Sequence, residues 1–159
     1  MSTSPTRISP PRFESREARL VAGIRVRYAH DQTAGIPVQW GRLHDLGDIP
    51  GRIGDAAYGV CSAFDAEASL DYLCGFEVDP ATSLPAGVDR IAVPAQRYAV
   101  FHQPGHIATI RIAFSAIWNF WLPGSGHKVA AAPVLERYGP EFDPRTGTGG
   151  FEIWLPIEG

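Results

Sequence analysis

The chain has little of what several common functions require. Cys61 and Cys74 are the only cysteines in 159 residues. Both sit in apolar, strand-like segments, where thiols read as small core residues, so a redox or disulfide function has no support. No window approaches the roughly 20 consecutive apolar residues that span a bilayer, and the amino end lacks the apolar run of a secretory signal. A soluble, cytoplasmic protein with no membrane partner is therefore expected. Bases are not in excess: 14 Lys and Arg face 17 Asp and Glu, for a formal net charge of -3. Direct nucleic-acid binding is excluded on that ground, since a phosphate backbone demands a basic face.

The five histidines carry no metal signature, because Pro104 and Gly105 break the four-residue spacing from His102 to His106. Gly147, Gly149 and Gly150 lead into a strand-like run with no Lys-Ser or Lys-Thr after it, which describes a hairpin turn and not a phosphate loop. Ser125, in Gly124-Ser125-Gly126, lacks the strand-turn-helix setting of a nucleophile elbow. No metal and no cofactor are expected.

What is present is apolar and aromatic. With 45% hydrophobic and 11% aromatic residues, a chain of this length can bury one sizeable core and fits a single domain. Residues 1–14, rich in Ser, Thr and Pro, read as a flexible tail; residues 15–159 form the domain. From Ala18 the pattern alternates, with Leu20, Ala22, Ile24, Val26 and Tyr28 on one face and Arg19, Val21, Gly23, Arg25 and Arg27 on the other, a strand with one wet side. Asp31 and Thr33 can cap a helix started at Pro37, on which Ile36, Trp40, Leu43 and His44 share a face up to Gly47. Two alternating runs follow, Tyr58 to Phe64 and Leu70 to Val78, joined by the turn Asp65-Ala66-Glu67.

The same order then recurs. A strand around Ile91 to His102 precedes a helix opened by Pro104-Gly105, with Ile107, Ile110, Phe114, Ile117, Trp118 and Trp121 at steps of three and four, stopped by Leu122-Pro123-Gly124. Short runs at Val134 to Tyr138 and Phe151 to Ile157 complete it. The simplest description is an α+β fold made of a duplicated βαββ unit, with halves at about 18–78 and 88–157.

Within the closing run Glu152 stands out, a carboxylate in an otherwise hydrophobic strand that shares a face with Trp154. Burying it costs several kcal/mol unless a cation or donors compensate, which predicts either an internal Arg partner, such as Arg97 or Arg111, or a cationic ligand. Desolvation would raise its pKa and make it usable as a general acid or base. Tyr72 lies on a core-facing pattern and needs a partner for its hydroxyl; Glu152, a ligand atom or water could supply it. Trp40, Trp118 and Trp121 at helical spacing serve as core or as a ligand wall.

Ile36-Pro37 leading to Trp40, Tyr58-Gly59-Val60-Cys61, Tyr72-Leu73-Cys74-Gly75-Phe76-Glu77-Val78, Tyr98-Ala99-Val100-Phe101-His102, Ile117-Trp118 with Trp121-Leu122-Pro123, Leu135-Glu136-Arg137-Tyr138 and Glu152-Ile153-Trp154-Leu155-Pro156-Ile157 together resemble the GyrI-like small-molecule-binding domain. That family also supplies the effector-binding part of AraC-type and MerR-type regulators. The resemblance covers roughly Ala18 to Ile157. It implies an antiparallel sheet and two main helices framing a central groove lined by aromatic side chains, with a Glu on the last strand, matched by Glu152, facing lipophilic cations. On that basis the ligand-binding residues are expected to be Glu152, Tyr72, Trp118, Trp40, Phe114 and Trp154, and the ligand a small amphipathic, cationic or aromatic compound. The resemblance also implies two alternatives: a cofactor-independent hydrolase of electrophilic small molecules using Glu152 and Tyr72, or an interaction protein whose partner is gyrase or a separate regulator.

Overall fold

The computed structural model describes residues 8–29, 32–62 and 69–158. Asp31 and the Asp65-Ala66-Glu67 turn lie outside them. Eight strands form one antiparallel sheet: β1 (Arg12–Arg16), β2 (Arg19–Tyr28), β3 (Arg52–Ser62), β4 (Leu70–Val78), β5 (Asp89–Val93), β6 (Gln96–Gln103), β7 (Val134–Tyr138) and β8 (Phe151–Ile157). Helix α1 (Ile36–Leu46) follows β2. A second helical stretch follows β6, made of α2 (Ile110–Ala116), a π-helical turn at Ile117–Trp121 and α3 (Leu122–Ser125).

The strand order is β1-β6-β8-β7-β3-β4-β2-β5. Each half contributes three adjacent strands, and the halves meet where β3 pairs with β7. This is the duplicated βαββ arrangement, with one addition. β1 precedes the first half in the chain yet pairs with β6 of the second, and β5 precedes the second half yet pairs with β2 of the first.

That exchange dictates the shape of the sheet. In a flat sheet β1 and β2 would stand six strand spacings apart, about 29 Å, yet only Glu17 and Ala18 join them, a link that reaches at most about 11 Å. Pro94 and Ala95 impose the same limit between β5 and β6. The sheet therefore curls until its two edges approach. Its concave side holds one buried cluster, with Tyr58, Val60, Leu73, Tyr98, Leu135 and Trp154. On the other side both helical stretches pack over a second cluster that includes Tyr72, Cys61, Phe101, Ile117, Tyr138 and Phe151.

Several local expectations are corrected. Arg12, Phe13 and Glu14 belong to edge strand β1 and not to a loose tail, held by the ladder to β6. The second face of β2 is wet only at one end: Arg19, Val21 and Gly23 are buried on the concave side, while Arg25 and Arg27 are exposed. The run from Ile91 to His102 is two strands split by Pro94-Ala95; β5 forms one edge of the sheet, and β6 lies at the far side, next to the edge strand β1. Pro123 does not stop the second helical stretch. It stands within the continuous helical stretch, directly after the π-helical turn, and the stop is Gly126 at φ 78°.

Candidate functional site

The two central strands build the site. Gly59 of β3 sits directly opposite Glu136 of β7, and Cys61 of β3 opposite Tyr72 of β4. All four project toward the helix-covered face. Glu136 is 7% exposed. Its Oε1 accepts hydrogen bonds from the Tyr72 hydroxyl at 2.6 Å and the Tyr138 hydroxyl at 2.8 Å, and the Cys61 thiol points at Oε2 from 3.9 Å. Among the described residues no Arg, Lys or His forms an ion pair with it.

Gly59 makes this arrangement fit. A Cβ there would stand 2.3 Å from the Tyr72 hydroxyl and 2.5 Å from Glu136 Oε1, so the phenol and the carboxylate occupy the volume that any other residue would fill. Helix α1 completes the wall. Gln39, 1% exposed, donates to the carbonyls of Ile24 at 2.7 Å and Tyr72 at 2.8 Å, and accepts from Tyr28 at 2.6 Å. These bonds pin the helix to β2 and β4 and set the neighbouring Trp40, whose indole N–H donates to the Tyr72 hydroxyl at 3.0 Å. Trp40 also meets the Tyr138 ring edge to face, with centroids 5.4 Å apart.

The electrostatics follow from burial. Desolvation raises the Glu136 carboxyl above its ordinary 4.5, and the three donors only partly oppose it. Desolvation, reinforced by the Glu136 charge, holds the Tyr72, Tyr138 and Cys61 protons well above their usual range, so all three remain donors. Cys74 is pushed up to about 12, chiefly by burial. Neither thiol is poised to react. Both tyrosines spend their hydrogen bonds on one carboxylate oxygen; among the described residues Oε2 has only the weak thiol contact, which leaves lone pairs open to a further partner.

The second helical stretch faces the site from the other side. Phe114 and Ile117 pack on the same apolar cluster. In the π-helical turn the Leu122 N–H reaches back to the Ile117 carbonyl, five residues away, a distortion found frequently at functional sites. Trp118 in that turn is 40% exposed and lines an open depression of about 430 Å³ with Ser62 and residues 129–134. Arg111 of α2 donates to the Thr33 hydroxyl before α1, tying the two helical stretches together.

The structure brings Tyr72, Trp40 and Phe114 to this face, with Trp118 at its margin. It does not bring Glu152 or Trp154. Glu152 lies on the concave side, where Arg12 at 2.8 Å, Arg137 at 3.4 Å and the Trp154 indole N–H at 3.2 Å surround it, and Trp154 is fully buried beside Tyr98. Glu152 and Tyr72 therefore do not converge, and the internal arginine partners are Arg12 and Arg137 in place of Arg97 or Arg111. Burial pushes the Glu152 carboxyl up, but Arg12, Trp154 and Arg137 outweigh it and leave the group below its ordinary value. A carboxyl lowered by folding stabilises the protein above its unfolded pKa and loses that contribution as pH falls through the folded one. Glu152→Gln is thus expected to lower the melting temperature at pH 7, with the difference from wild type vanishing well below pH 4.5; a constant difference across that range would refute the assignment.

Glu136 and Tyr138 were absent from the sequence-based site. The signal was present in the alternation Val134, Glu136, Tyr138, which sets the acid between two core positions.

The fold and site together define a small-molecule-binding class: the profile of the GyrI-like small molecule binding domain matches residues 9–158, and the chain belongs to that family. The transcriptional regulator BrlR of Pseudomonas aeruginosa is 33% identical over 104 residues, 65% of this chain but 38% of that protein. The structure of SAV2435 bound to tetraphenylphosphonium superposes with a TM-score of 0.76 at 19% identity, over 95% of both chains. A putative transcription regulation protein from Staphylococcus aureus MU50 superposes at 0.73 and 19% identity, over 94% of this chain and 98% of that one. No helix among the described residues is long and apolar enough to cross a membrane.

Proposed function

We propose that this chain captures lipophilic cations between α1 and the second helical stretch, with Glu136 as counter-charge and Trp40, Tyr72, Tyr138 and Phe114 as the aromatic surround. The observation that carries the reading is a buried carboxylate without a cation. Such a group costs several kcal/mol unless an opposite charge offsets it, and here the side chain offers an open oxygen amid aromatic rings, which suits a delocalised positive charge. The tetraphenylphosphonium held by the SAV2435 neighbour is of that chemical class. The similarity to BrlR supports a role for the bound ligand as an effector in transcriptional regulation.

In a calorimetric titration tetraphenylphosphonium is expected to bind at least about tenfold more tightly than neutral triphenylphosphine oxide, the difference that 1.4 kcal/mol produces. Because Glu136 titrates above its ordinary 4.5, cation affinity falls as pH is lowered toward that value, while the neutral compound is unaffected. Equal affinities, or no pH dependence, would overturn the reading.

One observation favours a second reading. The 2.6 Å contact between Glu136 and the Tyr72 hydroxyl, with the carboxyl pKa raised, is also an arrangement for adding water to an electrophilic compound, the carboxylate taking the proton and the phenol orienting. Turnover that disappears in Glu136→Gln while binding persists would establish it.

A further inference from the structure

The concave side of the sheet holds a charge that the groove does not use. Arg19, at the start of β2, is 9% exposed. Its guanidinium lies over the Tyr58 ring, 5.3 Å from the centroid, and over the Trp154 ring at 5.5 Å, and Nη1 reaches the Tyr58 hydroxyl at 3.5 Å. Ring faces answer the charge across the guanidinium plane. They do nothing for donors in that plane. Nε and Nη2 are buried with no partner among the described residues, and the Tyr98 hydroxyl is buried and unpartnered as well.

Those donors are of one kind. Nε–H and one Nη2–H of a guanidinium project side by side, the fork that grips both oxygens of a carboxylate or phosphate. Burial holds the Tyr98 phenol above its ordinary value against the opposing pull of Arg19, whose guanidinium approaches the phenol oxygen without a well-formed hydrogen bond, and of Arg16, so its hydroxyl keeps a proton to donate. The surrounding charge is positive. The Arg16 and Arg12 guanidiniums lie 5.0 and 6.0 Å from the Trp154 centroid, while the nearby carboxylates are already engaged, Glu14 by Arg12 and Arg16 and Glu152 by Arg12 and Arg137. Arg19 has no acidic partner among the described residues. A buried guanidinium edge and a phenol left unanswered together call for an acceptor.

We propose that Arg19 and Tyr98 form a site for a small oxyanion, a carboxylate or phosphate group, beneath the β1–β2 corner. The donors are closed to bulk solvent, so the occupant is a group of a few atoms. Bound there, it joins the start of β2 to β6 across the gap between the curled edges. The site is independent of Glu136, on the opposite face of the sheet.

The test is thermal unfolding of the full chain in sodium phosphate, sodium acetate and sodium chloride at equal ionic strength. Phosphate or acetate is expected to raise the melting temperature by roughly 5–10 °C at a hundredfold excess over its Kd, and which of the two acts identifies the ligand class. Arg19→Met should abolish the rise, Arg19→Lys should lose most of it because the fork is gone, and Tyr98→Phe should reduce it. Equal melting in all three salts, or a rise retained in Arg19→Met, would overturn the site. Should the Arg19 variants fail to fold, the Nε–H resonances of wild-type protein labelled with 15N-arginine decide the matter. A slowly exchanging resonance that moves saturably with phosphate or acetate supports the site, and resonances unmoved by either remove it.

Discussion

Glu136→Gln is expected to weaken lipophilic cations by at least roughly 30-fold and, in the same protein, to raise the melting temperature of the free chain. The first effect follows from removing one member of a desolvated charge pair, typically worth about 2–5 kcal/mol in a complex. Gln keeps an oxygen to accept from Tyr72 and Tyr138, so the local geometry survives and neutral ligands should bind nearly as before. The second effect has the opposite sign. Burial raises the Glu136 carboxyl above 4.5, so the folded chain holds that proton more tightly than the unfolded chain. Stability then falls as pH rises between the two pKa values, and above both of them the ionised group is a standing cost that Gln abolishes. The gain in melting temperature should shrink as pH is lowered toward 4.5. Isothermal titration and thermal melts on one preparation read both effects; a variant that loses stability and binds cations normally would remove Glu136 from the site.

Gly59→Ala should be strongly destabilising, and it strikes the site itself. Its added carbon would lie 2.3 Å from the Tyr72 hydroxyl and 2.5 Å from Glu136 Oε1. Neither neighbour can swing aside, since Tyr72 is 1% and Glu136 7% exposed. Overpacking of this kind costs about 1–3 kcal/mol, and separating the phenol from a charged acceptor adds about 1.5–3 kcal/mol. Together these correspond to a fall in melting temperature of roughly 5–24 °C for a chain of this size. Gly41→Ala is the control, because a Cβ at that helical position meets nothing within 4 Å, and a better helix former there should raise stability slightly. A Gly59→Ala protein as stable as the control would mean that the Tyr72–Glu136 contact is dispensable to the fold.

Both residues show where sequence reading reaches and where it stops. Alternation in Leu70 to Val78 and helical spacing from Ile36 to Leu43 locate elements directly, because their burial follows one face. β1 gave no such signal: as an edge strand, only one of its five residues is even partly buried, so Arg-Phe-Glu-Ser-Arg reads as polar chain. Glu152 and Glu136 were harder still. Each is an acid in a buried strand, and alternation says only which neighbours share its face. What separates them is the cation supplied from elsewhere, Arg12 from an edge strand 140 residues away in sequence, and nothing local to Phe151–Ile157 encodes that partner. Gly59 reads as an ordinary strand glycine until the side chains of β4 and β7 are seen to meet over it.

The exchange of β1 and β5 between the halves has a consequence for how such a chain can be divided. A fragment ending near residue 88 would keep α1 and its three core strands but lack β5, the partner of β2 at the outer edge, and its own β1 would have no β6 to pair with. Two copies of one repeat could satisfy each other only by trading their first strands. The duplicated chain is in effect a strand-swapped dimer whose protomers have been joined end to end, and neither repeat is a module that could be borrowed alone.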